Sequence, residues 1–296
     1  MVFLNIMLMT KTDPDNEDVI GKNFIDLDKV IKEKNPRLYR RLPRFVISYL
    51  KKIAHQEAIN QFLYKHREKQ GIAFVEAMLN EFGVIVETSG SLLIPDDRQL
   101  ILVANHPLGG IDGLALISVA AKAGLDIVFP VNDLLMNVPN VRSLFIPVNK
   151  HGRNARLVRE LDESFSSPKT ILYFPAGLCS RKVDGRIVDL EWKKTFVVKA
   201  RTFKRDIIPV HIEARNSSFF YNLARIRKIF GIKTNIEMMF LVDEMMKQKN
   251  KTIRFTFGKP IPWNVFDSRF TDRQWASSLR DFVYTLPKNP NQTFNV

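Results

Sequence analysis

The chain has few of the features that place a protein in an oxidising compartment or across a membrane. Its 296 residues include a single cysteine, Cys179, which excludes an internal disulfide and a zinc site built from several cysteines. No stretch approaches the ~18 to 20 apolar residues of a membrane-spanning helix. The apolar opening MVFLNIMLM is short and runs into the acidic TKTDPDNED. We therefore expect neither a signal peptide nor a membrane span, and we expect residues 1–18 to form a disordered terminus.

Signatures of several enzyme classes are also missing. The sequence contains no Walker A motif, no glycine fingerprint of a dinucleotide-binding domain and no G-x-S-x-G turn of a serine hydrolase. No group of residues has the spacing of metal ligands, so we predict no metal site and no bound cofactor. His211 lies inside the apolar run IIPVHI, and we predict a satisfied core residue there rather than a ligand.

Positive charge is abundant and unevenly distributed. The formal net charge is +14, which favours partners such as nucleic acid, anionic lipid surfaces or phosphorylated small molecules. The excess lies in two blocks: residues 32–69 hold eleven Lys and Arg against three Asp and Glu, and residues 142–233 hold twenty against eight. The basic and aromatic residues match no RNA- or DNA-binding motif. We therefore expect an anionic membrane surface as the partner and no nucleic acid.

The apolar pattern changes once along the chain. Up to Gly83 apolar residues recur at steps of three and four, which predicts an N-terminal helical unit over residues 19–83. From Val84 onward, short apolar runs such as LILVA and IIPVHI alternate with helical segments. This alternation predicts an α/β domain over residues 84–286, with a largely parallel sheet flanked by helices, and a C-terminal tail over residues 287–296.

The stretch VANHPLGGIDG places polar residues where a strand turns into a helix. His106 followed by Asp112 is typical of a general base whose carboxylate partner fixes the imidazole tautomer. Gly109 and Gly110 would let the backbone approach a substrate, and their N–H groups could stabilise an oxyanion. The alternative is an ordinary turn in which Asp112 only caps the following helix.

A second strand end, ILYFPAGLCSRK, repeats this design. Pro175 and Gly177 predict a turn, and Ser180, Arg181 and Lys182 would suit a phosphate or another anionic group. The alternative is a solvated basic loop.

Taken in order, NH…D, FIPV, FPAG…SR with EWKKTF, and IIPVHI resemble the four blocks of the glycerolipid acyltransferase superfamily over about residues 84–262. The chain resembles a divergent branch of this superfamily, similar to the bacterial hemolysin-like acyltransferases and to enzymes that acylate lyso-aminolipids. The resemblance implies a glycerol-phosphate acyltransferase-like fold, with His106 as general base and Asp112 as its orienting partner. It also implies substrate-binding roles for a set of neighbouring residues: Asn105, Gly109, Gly110, Lys150, Arg153, Pro175, Gly177, Ser180, Arg181 and Lys182.

Three positions depart from the family pattern. Five residues separate His106 from Asp112, where the family has four, so the Gly-Gly turn must absorb one residue if the side chains are to meet. Ala176 replaces a glutamate of the family, and Cys179 occupies an arginine position. These differences bear on the acceptor more than on the fold.

The sequence therefore predicts an O-acyltransferase that moves an acyl group from acyl-CoA or acyl-carrier protein, as co-substrate, to a lysophospholipid or lyso-aminolipid hydroxyl. Two alternatives stay open: a non-catalytic nucleic-acid-binding protein, and an inactive lipid-binding member of the same fold. We expect a cytoplasmic protein, peripheral at the inner face of the membrane.

Two basic amphipathic stretches, residues 36–52 and 216–233, are candidates for membrane contact. The same pattern also describes helices packed on the sheet with a solvated face. In the second stretch, helical spacing predicts that Leu223, Ile226 and Phe230 face inward. Arg225, Arg227 and Lys228 would then face outward.

Overall fold

The computed structural model describes residues 24–90, 92, 94–95, 99–132, 136, 138–148 and 155–295. The expected disordered terminus over residues 1–18 lies outside the described residues. Helices and strands follow the predicted order, beginning with a helical segment that contains α1 (Leu27–Lys34), α2 (Pro36–Arg41), α3 (Arg44–Ile53), α4 (Gln56–Lys65) and α5 (Gly71–Glu81).

Strands and helices then alternate through the rest of the chain. The strands are β1 (Ile85–Ser89), β2 (Leu100–Ala104), β3 (Ile127–Asn132), β4 (Phe145–Val148), β5 (Thr170–Tyr173), β6 (Arg181–Val183), β7 (Arg186–Val188), β8 (Asp206–Glu213) and β9 (Thr252–Phe257). The helices are α6 (Ile111–Lys122), α7 (Ala155–Ser166), α8 (Thr195–Thr202), α9 (Ser218–Ile229), α10 (Leu241–Met246) and α11 (Asp272–Val283). Short 3₁₀ helices lie at Pro139–Leu144, Ile236–Phe240 and Trp263–Val265.

The main sheet confirms the predicted α/β class. Among the described residues, seven strands pair in the order β1-β9-β8-β2-β5-β3-β4. The pairings are parallel except between β8 and β9, which are antiparallel. The strand ends after β2, β5 and β8 therefore meet at one edge of the sheet, where α/β proteins usually bind their ligands.

Strand β2 shows why the sheet is covered on both faces. All five of its residues are buried, and their side chains alternate between two core clusters. Leu100 and Leu102 pack into one cluster together with α4, α5 and α6. Ile101 and Val103 pack into the other cluster together with α7, α8 and α11. An unbroken apolar run is what a strand between two helical layers requires.

Helix α5 and Phe294, from the two flanking regions, pack against this core. Phe74 and Val75 of α5 share a cluster with the sheet, while Val30 of α1 and Leu50 of α3 form a smaller cluster of their own. Phe294, in the predicted C-terminal tail, is buried against the aromatic residues of the second cluster. The domain boundaries at residues 83 and 286 stay predictions.

Residues 181–188 form a hairpin that the sequence analysis treated as a loop. β6 and β7 pair antiparallel, and the two residues between them, Asp184 and Gly185, both have positive φ angles. An Asp-Gly pair at the centre of a two-residue turn is a strong hairpin signal.

The faces of α9 were predicted incorrectly for Ile226, Phe230 and Arg227, whereas Arg225 and Lys228 face outward as predicted. Phe220, Tyr221 and Ala224 are the buried positions of this helix, whereas Ile226 and Phe230 are exposed. The buried stripe continues through a basic side chain rather than an apolar one, because Arg227 turns inward to a buried carboxylate. In the described part of the chain, no helix combines the length and apolar character needed to cross a bilayer.

Candidate active site

The turn that follows β2 holds the predicted base. β2 ends at Ala104, so His106 lies at the carboxyl edge of the sheet between the ends of β5 and β8. The imidazole stacks on the ring of Phe174, with centroids 4.2 Å apart and planes inclined by 16°. About a seventh of its side chain is exposed, 14%. Stacking fixes the plane of the ring while part of it stays accessible.

The structure brings His106 and Asp112 together. The imidazole Nδ1 lies 3.0 Å from Asp112 Oδ2, although the family pattern has one residue fewer between them. Gly109 absorbs the additional residue with a φ of +83°. A side chain there would also come within 2.9 Å of Leu241 Cδ1 and 3.0 Å of Cys179 Cβ. Glycine is therefore required both by the backbone and by the packing.

Asp112 is fully buried and holds the whole turn. Its carboxylate accepts N–H groups from Leu108 at 2.9 Å, Gly110 at 2.9 Å and Gly113 at 3.1 Å, with a longer bond from Gly109 at 3.4 Å. Burial alone would raise the pKa of Asp112, but His106 and these N–H donors outweigh it and hold that pKa below its usual value. Asp112 is thus a charged partner for an imidazolium.

This geometry corrects the expectation for the two glycines. The N–H groups of Gly109 and Gly110 were predicted to face an oxyanion, but both point at Asp112. They shape the turn instead of offering donors to a substrate. The helix-cap alternative for Asp112 describes part of what is seen, since its side chain does bond the first N–H groups near α6.

Asn105 is also committed to the fold. Its side-chain Oδ1 accepts the N–H of Ile212 at 2.6 Å, and its Nδ2 donates to the carbonyl of the same residue at 2.9 Å. Asn105 is 2% exposed, so it joins the end of β2 to β8 rather than contacting a substrate.

The loop after β5 lies beside the turn that holds His106, but its polar side chains Ser180 and Arg181 point into the protein. Pro175 is buried, and its carbonyl accepts the N–H of Lys193 at 3.1 Å. Ser180 donates its hydroxyl to Asp189 at 2.6 Å and its N–H to the carbonyl of His106 at 2.8 Å. The bond from the Ser180 N–H attaches this loop to the backbone of His106.

Arg181 was predicted to hold an anionic head group, and the structure contradicts that role. Its guanidinium is 9% exposed and lies 2.7 Å from the carboxylate of Glu237. It also donates to the carbonyls of Cys179 at 2.5 Å and Ser180 at 3.2 Å. A buried guanidinium with these partners is a structural cation. Of the predicted loop residues, Gly177 and Lys182 are exposed.

Asp189 is a buried carboxylate that the sequence analysis missed. It accepts the N–H of His106 at 3.1 Å, the hydroxyl of Ser180 at 2.6 Å and the indole N–H of Trp192 at 2.8 Å. Its own N–H donates to the hydroxyl of Tyr284 at 2.7 Å. Burial raises the pKa of Asp189 above its usual value, despite the bonds from Ser180 and Trp192. No local pattern marks this residue, because its partners are distant in sequence.

Comparison with known proteins identifies the family. A family model described as "Acyltransferase" matches residues 29–293 of the chain. The chain belongs to this acyltransferase family. It is a member of the glycerolipid acyltransferase superfamily, as the four sequence blocks indicated.

Two curated relatives are similar over most of their length. Both are named lyso-glycine lipid O-acyltransferase, one from Bacteroides thetaiotaomicron and one from Phocaeicola vulgatus, and each is 47% identical over 265 residues. The match covers 89% of this chain and 97% and 95% of the two relatives. A crystal structure of the 1-acyl-sn-glycerophosphate acyltransferase from Thermotoga maritima is 20% identical, with a TM-score of 0.45, over 84% of this chain and 91% of that one.

One exposed cation near the site of this acyltransferase received no role from the sequence. Lys150 and Arg153 lie outside the described residues. The cation without an assigned role is Lys193, which belongs to the motif EWKKTF. Its Nζ lies 3.8 Å from the position that a Cβ on Gly177 would occupy. Its side chain is exposed. Lys193 thus presents a charge at the loop where Arg181 does not.

His211 of the acyltransferase is buried, as predicted, but its hydrogen bonding is incomplete. Its Nδ1 has no hydrogen-bond partner in the described structure, so the prediction of a satisfied core residue was wrong in that respect. Burial lowers the pKa of His211 to about 4, so the ring is neutral near pH 7. Within the described residues, no group of His, Cys, Asp and Glu is arranged to hold a metal ion.

Proposed function

We propose that this acyltransferase transfers an acyl group from an acyl thioester to the hydroxyl of a lysolipid, with a lyso-glycine lipid as the first candidate acceptor. The observation that carries the proposal is the His106–Asp112 pair at the carboxyl edge of the sheet, in a chain that belongs to the acyltransferase family. The names of the two relatives support the choice of acceptor.

In the proposed reaction His106 acts as the general base. The carboxylate of Asp112 accepts a hydrogen bond from Nδ1–H, which leaves Nε2 as the basic nitrogen of the ring. Nε2 takes the proton of the acceptor hydroxyl as its oxygen attacks the thioester carbonyl. The thiol leaves when the tetrahedral intermediate collapses and receives the proton from the imidazolium, whose charge Asp112 stabilises.

The surroundings of the base support direct transfer without an acyl-enzyme. Burial raises the pKa of the Cys179 thiol to about 11, so this cysteine stays protonated near neutral pH. The Ser180 hydroxyl donates to Asp189 rather than to His106. Neither neighbouring nucleophile is therefore activated by the base.

The acceptor and the donor bring negative charges that the site must accommodate. Lys193 is our candidate for the cation that holds the anionic end of the acceptor, since it is exposed beside Gly177. The donor is acyl-CoA or acyl-carrier protein. We place the reaction at the cytoplasmic face of an anionic membrane, which a net charge of +14 favours.

Purified His106→Ala protein tests this proposal. Loss of a general base costs ~10²- to 10⁴-fold in rate, measured as product formed from lyso-glycine lipid with acyl-CoA and, separately, with acyl-carrier protein. His66→Ala is the matched control, because His66 pairs with Glu81 on the helical segment and its loss leaves the rate unchanged. A folded His106→Ala protein with full activity would overturn the assignment.

A further inference from the structure

The end of α9 carries an exposed apolar surface that the proposed reaction does not use. We call residues 225–233 the α9 tip. Four of its large side chains face solvent, with exposed fractions of 50% for Ile226, 71% for Ile229, 74% for Phe230 and 43% for Ile232. Single exposed apolar residues are common, but a group of four within seven positions marks an interaction site.

The tip is held rigidly, so this exposure does not result from a frayed helix end. The N–H of Phe230 donates to the carbonyl of Ile226, and the N–H of Ile232 donates to the carbonyl of Arg227, both at 3.0 Å. Gly231 closes the turn with a φ of +66°. The Arg227 guanidinium donates back to the carbonyl of Ile232 at 3.0 Å. The fold thus fixes apolar side chains in water, which is unfavourable unless something covers them.

The charges around the tip indicate what covers it. Arg225, Lys228 and Lys233 are exposed, and residues 216–235 contain no Asp or Glu. Apolar side chains among basic ones fit the interface of an anionic bilayer, where each basic residue near the surface contributes ~1 kcal/mol. The charge complementarity therefore favours a membrane.

Helix α9 connects this tip to the active site. Just before the helix, Asn216 donates from its side chain to the carbonyls of Pro107 and Leu108 at 3.4 Å each, within the turn that holds His106. The helix has 12 residues and is therefore about 18 Å long. The tip and Asn216, which contacts the catalytic turn, therefore lie at opposite ends of this one helix.

A buried carboxylate makes a second connection. Arg227 Nε lies 2.9 Å from Glu237 Oε2 as an ion pair, although not in hydrogen-bond geometry. The other carboxylate oxygen of Glu237 lies 2.7 Å from the guanidinium of Arg181. Arg181 directly follows Ser180 in the sequence. Arg227 of the α9 tip and Arg181 of the loop beside His106 are thus attached to the same carboxylate, that of Glu237.

We propose that the α9 tip inserts Ile226, Ile229, Phe230 and Ile232 into the surface of an anionic membrane while its basic residues bind the lipid head groups. The active site then takes its acceptor from the bilayer in which the tip is embedded. This inference rests on the proposed function for the lipid nature of the acceptor, and the docking itself is measured without turnover.

A probe at Phe230 tests insertion directly. Phe230→Cys is labelled with an environment-sensitive fluorophore, and Cys179 stays unlabelled because it is buried with a raised pKa. We expect a blue shift on addition of phosphatidylcholine–phosphatidylglycerol vesicles and a smaller one with phosphatidylcholine alone. Ile85→Cys is the control, since Ile85 is 54% exposed on the edge strand β1, and its probe should not respond.

A second variant measures the contribution of the apolar residues. Ile229→Ser with Phe230→Ser should weaken sedimentation with the anionic vesicles by about 100-fold, given the transfer free energy of two large side chains. High salt should remove only part of the wild-type binding, because the inserted groups are uncharged. The loss of acyl transfer should be greater for acceptor in vesicles than for acceptor in detergent micelles.

The remaining outcomes overturn the docking proposal. A silent Phe230 probe with a wild-type chain that sediments, or a double variant that binds vesicles normally, would exclude the tip. Conversion of a dimer to a monomer in the double variant, with vesicle binding unchanged, would make the tip an interface between two copies. A probe shift caused by deleting residues 1–23 without vesicles would assign the tip to that segment. His106→Ala should dock normally, so a failure of the proposed reaction is distinguishable.

Discussion

The two strand-end turns of the site look alike in sequence and differ in structure. After β2, His106 and Asp112 meet at 3.0 Å with the imidazole partly exposed. After β5, Ser180 and Arg181 turn inward to buried carboxylates. The first turn leaves the imidazole of the proposed base accessible, and the second holds that turn in place through the bond from the Ser180 N–H to the His106 carbonyl. A cation at a turn can therefore serve the fold rather than the substrate.

The largest effect that sharpens this comparison is expected at Asp112. Asp112→Asn keeps the size of the side chain but removes the charge that stabilises the imidazolium, so we predict a loss of ~10²- to 10⁴-fold in kcat. Steady-state kinetics with saturating donor measure it. A variant with normal kcat would show that Asp112 only stabilises the turn and does not take part in the reaction.

Arg181 should show the opposite behaviour, with a large effect on stability. Arg181→Met leaves Glu237 with one partner fewer in the core, and breaking a buried pair costs about 3–5 kcal/mol in the free energy of unfolding. Urea denaturation measures this change. Its neighbour Lys182 is exposed, so the control Lys182→Gln should change stability by less than ~0.5 kcal/mol. A selective rise in the KM for the acceptor in Arg181→Met would instead restore a binding role.

Lys193 provides an exposed charge beside Gly177 of the second loop, and a smaller effect is expected. Lys193→Gln should raise the KM for the acceptor about 5- to 10-fold, which corresponds to ~1 kcal/mol of lost binding. The KM for the donor should stay constant. Equal changes in the two KM values would show that Lys193 does not distinguish the acceptor.

The last prediction concerns how the free energy of unfolding depends on pH. The contributions of Asp112 and Asp189 to that dependence should have opposite signs. The pKa of Asp112 is lowered on folding, so its contribution to stability is present above ~4 and is lost as the pH falls. The pKa of Asp189 is raised, so its contribution is present at low pH and is lost as the pH rises through its folded pKa. Each slope is at most about 1.4 kcal/mol per pH unit.

Melting temperatures measured between pH 3 and pH 7 test these signs. The destabilisation by Asp112→Asn should grow with pH, while Asp189→Asn should become less unfavourable relative to wild type. Parallel slopes for the two variants would mean that the two carboxylates have equivalent environments, contrary to their different hydrogen bonds.

Much of the fold could be predicted because the signals are local. The unbroken apolar run of β2 indicated a strand covered on both faces, and both faces are covered. The spacing of Thr271 and Gln274 is a local signal of the same kind, since it is that of a capping box, and both hydrogen bonds of the box form at the start of α11. Both signals can be read from neighbouring residues, because hydrophobic periodicity and helix capping depend on a few positions within one segment.

The order of residues by itself determined the sheet, the turn with His106 and Asp112, and the family to which the chain belongs. Only the tertiary structure decided which charged groups are paired inside the protein and which stay exposed. Arg181 and Arg227 read as surface cations until Glu237, 56 and 10 positions away, is placed between them. Asp189 similarly acquires its role from partners brought together by folding. A buried charge is stable only beside a partner, and one-dimensional periodicity does not contain the identity of a partner from another segment.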